Sequence, residues 1–169
     1  MNFSSRVMSV SVVALLCGCG SDDPPPPADV DGTYTLTVTN GPSACPLDGW
    51  TEGAVTPGVP MIVTQNDDTV SADVGGAGAV FLGLWCGSAH FTGTVVGSDV
   101  ALALNGTRSL SSGSCAFTVD ARVSLTASGN TLSGSITYAP NTNSSPDCAA
   151  IRNCISRMSL TGTRPGSGN

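Results

Sequence analysis

The sequence predicts an all-β domain, an antiparallel up-and-down barrel of about eight strands, with a two-sheet sandwich as the alternative. Three observations carry this expectation. After residue 30 the chain is written in short runs of Val, Ile, Leu, Thr, Ser and Ala broken by Gly, Asn and Asp, with scarcely any segment of helical period. Three of the breaks are tight and hold turn residues. The five cysteines of this region all fall in or beside the longer breaks.

Taken in order, strands are expected at 33–39, 60–65, 69–74, 91–96, 100–104, 116–126, 131–138 and 157–164. The tight connections are Asn66-Asp67-Asp68, Gly97-Ser98-Asp99 and Ser128-Gly129-Asn130, whose residues tolerate the positive φ of short hairpin turns. Successive turns of a meander alternate between its two ends. The three hairpins therefore share one end, and the four long loops share the other. Cys45 lies in the first long loop, Cys86 in the second, Cys115 in the third, and Cys148 and Cys154 in the fourth. Loops at one end can bring Cα atoms within the roughly 4.4–6.8 Å a disulfide requires. Closing the sheet removes exposed edges that would otherwise pair with other chains. The repeated segments FTGT (91–94), LSGS (132–135) and LTGT (160–163) each place a glycine inside a strand, a common mark of the bend in a small coiled barrel.

Ahead of this domain stand Arg6, an apolar run over 7–16, and Leu16-Cys17-Gly18-Cys19. The run is well short of the ~20 residues that cross a bilayer. Together these features resemble the lipobox of bacterial lipoproteins. The resemblance implies a signal peptide over 1–18 and a lipidated first residue at Cys19, with Leu16 at −3 and Gly18 at −1 favouring Cys19 over Cys17. Residues 19–30 then form a tether, semi-rigid because Pro24 to Pro27 favour polyproline II. The barrel occupies 31–165, with a disordered tail at 166–169. Gly20 after the cysteine is similar to lipoproteins sent to the outer membrane, so the implied state is anchored in the bacterial envelope by acyl chains, without a spanning segment. The tether enters at the tight-turn end, which aims the long loops away from the anchoring membrane.

Without Arg6 the chain keeps five arginines and no lysine against twelve carboxylates, a formal charge of −7, which argues against nucleic-acid binding. About 135 residues follow the tether, enough for one domain with a single core. With Cys19 acylated, five cysteines remain, giving two disulfides and one thiol in an exported chain. The loop geometry couples Cys45 to Cys148 or Cys154, and Cys115 to the other of that pair or to Cys86. A zinc site built from Cys86, His90 and another loop cysteine is the alternative, but one histidine and no Cys-x-x-Cys pair argue against it. No metal or cofactor is expected. Nor is catalysis: His90 is the only histidine, Glu52 the only glutamate, Asp67-Asp68 are ordinary turn residues, and no nucleophile elbow or phosphate-cradling loop is present.

Gly32-Thr33-Tyr34 at the start of the first strand and Arg164 near the end of the last resemble the calycin superfamily of lipocalins, with Tyr34 where those proteins carry Trp. The resemblance implies cation–π packing of Arg164 on Tyr34 that closes the tight-turn end. At the other end, the run AVFLGLW at 79–85 is too apolar to lie exposed without a reason. It is expected as a plug or extra strand in the barrel mouth, as the lid or wall of a cavity, or as a protein-contact surface. Two functions follow. In one, Trp50, Phe81, Trp85 and His90 face a small hydrophobic or amphipathic ligand. In the other, a filled barrel presents Trp50 and Trp85 to an envelope protein, like some barrel-shaped bacterial inhibitors that the chain resembles.

Overall fold

A computed structural model describes residues 25–46 and 49–166. The expected signal peptide, Cys19, the first part of the tether and the last three residues of the tail lie outside them. The described chain runs β1 (Gly32–Ser43), β2 (Val55–Asn66), β3 (Thr69–Val74), α1 (Gly76–Trp85), β4 (His90–Val96), β5 (Asp99–Leu104), β6 (Leu110–Ser112), β7 (Cys115–Ser128), β8 (Thr131–Thr142) and β9 (Ser156–Thr163), with a single 3₁₀ turn at Pro146–Cys148 before β9. Every sheet pairing is antiparallel. β1 pairs with both β2 and β9, and β5 with β7, so eight strands close into an up-and-down barrel while β6 only forms a short hairpin with the start of β7.

The three tight hairpins join β2 to β3, β4 to β5 and β7 to β8, with Asp67, Gly97 and Gly129 at φ 54°, 56° and 57°. All sit at one end. Alternate residues point inward, as Val59, Met61 and Val63 do on β2 and Val119, Ala121, Val123 and Leu125 on β7. The glycine-bearing segments serve close approach. A Cβ at Gly93 would collide with the Ala101 carbonyl on β5, and one at Gly134 with the Ser124 carbonyl on β7, so neighbouring strands coil more tightly than any side chain there allows.

Three strands run four or more residues beyond a predicted end: β1, which continues to Ser43, and two that carry prolines. β2 begins at Val55 despite Pro57, Gly58 and Pro60, and β8 continues past Pro140 to Thr142. Prolines break strands because they lack a donor. Here the β3 ladder meets β2 only from Met61 onward, and β9 leaves β8 at Tyr138, so each proline lies where only one neighbouring strand continues the ladder.

The tight-turn end is sealed by the segment entering β1. Val30 is wholly buried, its amide donates to Gln65 Oε1 at 2.8 Å, and its carbonyl accepts from the Tyr34 hydroxyl at 3.2 Å. Arg164 covers this floor with its guanidinium carbon 5.7 Å from the Tyr34 ring centroid, in the arrangement the lipocalin resemblance implies. It donates to Asp31 O, to Asp29 O at 3.0 Å and to Asn130 Oδ1 at 3.2 Å, and it pairs with the Asp29 carboxylate at 3.2 Å. The described end of the expected tether packs against this end of the barrel from Pro25, whose carbonyl accepts from Gly97 N at 3.3 Å, while Ala28 N donates to Gly97 O at 2.7 Å.

Candidate functional site: two chambers under a helical lid

The run at 79–85 is neither plug nor strand. It forms most of α1, a ten-residue helix. Its residues are apolar on every side, so no polar face marks a helical period in the sequence. The lid is tied at both ends: Gly75 N donates to Pro60 O at 2.8 Å, and Thr107 N donates to Cys86 O at 2.8 Å. Leu82 is buried toward the barrel, Phe81 and Trp85 are half-buried, and Val80 and Leu84 face out.

Beneath the helix the barrel is hollow. An inner chamber of about 300 Å³ lies between α1 and the packed floor, walled by apolar side chains such as Leu36, Met61, Val123 and Met158. A second chamber of about 270 Å³ lies under the loops, walled by both disulfides together with Phe117, Pro140 and Ile151. Trp50, Phe81, Trp85 and Tyr138 line both chambers and form the partition between them. Each volume is at or just below the small end of small-molecule sites, and the lining has the expected mix of apolar wall and sparse polar groups.

Three of the four ligand candidates therefore converge. Trp50 comes from the β1–β2 loop and is fixed by its indole N–H, which donates to Gly41 O at 3.0 Å. Phe81 and Trp85 come from successive turns of α1, with ring centroids 6.3 Å apart. His90 does not join them. It stands on the outer surface, where its register partner on β3 is Asp73, and its Nδ1 lies 2.8 Å from the Asp73 carboxylate. Tyr138 takes the place that the sequence reading gives to His90. Its position was legible: it follows Leu132, Gly134 and Ile136 on the inward face of β8, at the long-loop end.

Cys45 bonds to Cys154 with Cα atoms 4.8 Å apart, and Cys115 to Cys148 with Cα atoms 5.0 Å apart. The first pairs the opening long loop with the last and the second pins β7 to the 3₁₀ turn, one of the pairings the sequence left open. Cys86 is the free thiol, fully buried at the end of α1, and its pKa is pushed up to about 11 by burial and then by the nearby Asp120 charge. Among the described residues no three His, Cys, Asp or Glu side chains converge as metal ligands. Asp147, at the exposed rim of the outer chamber, accepts from Ser114 N at 2.8 Å and Ser114 Oγ at 2.7 Å. These bonds hold its carboxyl below the usual range.

No protein-family model, curated protein or solved structure matches the chain.

Proposed function

We propose that this chain is a lipoprotein of the bacterial envelope, held in the outer membrane through acylated Cys19, whose barrel binds a small hydrophobic or amphipathic molecule without transforming it. One observation carries the binding reading: the pair of apolar chambers beneath α1, where a well-filled barrel would have had none. Protein interiors are ordinarily packed to crystal density, so space of this size in a small domain calls for an occupant. The entering chain lies against the tight-turn end, so the lidded mouth is on the side away from the N-terminal segment.

A protein-contact role is supported by a different feature, the outward Val80 and Leu84 on α1, which are 63 % and 54 % exposed. The half-buried placement of Trp50 and Trp85 against the chambers favours the ligand reading. The experiment is to purify the full chain from its own envelope, extract it with organic solvent and identify what is released by mass spectrometry. Close to one equivalent of an apolar small molecule is expected. A chain that carries nothing and takes up nothing from an envelope lipid extract contradicts the proposal.

A further inference from the structure

Tyr138 is only 7 % exposed, and its hydroxyl has no hydrogen-bond partner among the described residues, whereas the Tyr34 hydroxyl donates to Val30 O. No sealed-off side-chain nitrogen or oxygen in the described residues lacks a partner. The Tyr138 oxygen must therefore border open space, and the space that Tyr138 borders is the two chambers. Phe81 packs edge-on against its ring at 5.7 Å, which holds the phenol in place at the partition. Burial keeps the phenol protonated and able to donate.

Charge narrows the occupant further. Among the described lining residues of either chamber there is no arginine or histidine, and the one charged side chain is Asp147 at the outer rim. An anion drawn inside would lose its water and find no cation, a costly transfer. We propose, resting on the binding reading above, that the ligand is an uncharged amphiphile with an apolar segment on either side of one hydrogen-bonding group, and that this group pairs with the Tyr138 hydroxyl. The similar sizes of the chambers suit apolar segments of similar length.

The test uses the full chain in nanodiscs, with empty nanodiscs as blank. Trp50 and Trp85 are its two tryptophans and both line the chambers, so intrinsic fluorescence reports occupancy directly. The probes are 4-heptanone, heptane and heptanoate. In Tyr138→Phe the ketone is expected to bind about tenfold more weakly while heptane is unchanged, in line with one buried hydrogen bond. Heptanoate is expected to bind far more weakly than the ketone to the native chain. Unchanged heptane binding also verifies that the variant is folded. Equal loss, or no loss, for ketone and heptane overturns the role of Tyr138 and leaves the binding reading intact; heptanoate binding as tightly as the ketone overturns the selection against charge. If none of the three probes binds, the binding reading itself fails.

Discussion

Phe81 on the lid helix meets Tyr138 on β8 edge to face, with ring centroids 5.7 Å apart and planes at 80°. This contact joins the glycine-bearing apolar helix α1 to the wall of the barrel. It also divides the interior in two. Aromatic pairs in this geometry contribute about 0.5–1.5 kcal/mol beyond their buried area, so the partition is a stabilising feature as well as a boundary of the site.

The floor depends on Arg164. Replacing it with alanine removes the cation–π contact with Tyr34 and the donors to Asp29, Asp31 and Asn130. A loss of about 2 kcal/mol is expected from these contacts together, measured by chemical denaturation. A loss under about 0.5 kcal/mol, the scale of an ordinary surface substitution, contradicts this role.

Asp29 supplies a pH signature of the same cluster. The Arg164 hydrogen bond, and then that of the Asp31 backbone, hold its carboxyl below its ordinary value of 3.8. A group with a lowered folded pKa contributes stability that is complete above its unfolded value and is lost as pH falls through the folded one. The melting temperature of Asp29→Asn should thus lie below that of the native chain at neutral pH, and the gap should close as pH drops below about 4. A gap that persists at pH 2 would assign the effect to something other than the charge.

The two disulfides should differ in weight. Cys45–Cys154 spans 109 residues and Cys115–Cys148 spans 33. Loop-closure entropy then assigns them about 5 and about 4 kcal/mol, so replacing the first pair with serines costs more than replacing the second. Alkylation distinguishes Cys86: its buried, high-pKa thiol should take up one iodoacetamide only after denaturation. Rapid labelling of the native chain would contradict its burial.

Gly93 tests the coiling of the barrel. Gly93→Ala drives a methyl into the Ala101 carbonyl and is expected to cost about 2 kcal/mol or more. The outward neighbour Thr92→Ala should stay within about 0.5 kcal/mol. Equal effects at the two positions would remove the argument for close strand approach.

Much of this architecture is legible in the chain. The period-2 strands, the three Gly/Asn/Asp hairpins and the grouping of cysteines at one end follow from local chemistry that the barrel obeys. What escaped has physical reasons. The apolar uniformity of α1 hides its period. Pro57 and Pro140 fall outside the strands the sequence predicts, because a sequence does not reveal which edge of a strand is unpaired. His90 drew attention as the sole histidine, yet a position beside inward Phe91 in a strand must point outward. Tyr138 drew none, because hollowness belongs to the whole barrel and no single residue encodes it.

Heptane binding to Val123→Phe decides whether the proposed ligand lies inside the barrel. Val123 is buried and faces the inner chamber. In a filled core the added ring would cost about 1–3 kcal/mol through overpacking. Here the variant should fold with stability within about 1 kcal/mol of the native chain, less than such overpacking, and its heptane affinity, read from tryptophan fluorescence, should fall at least about tenfold, equivalent to 1.4 kcal/mol. A variant that folds and still binds heptane as the native chain does would place the ligand elsewhere and contradict the account.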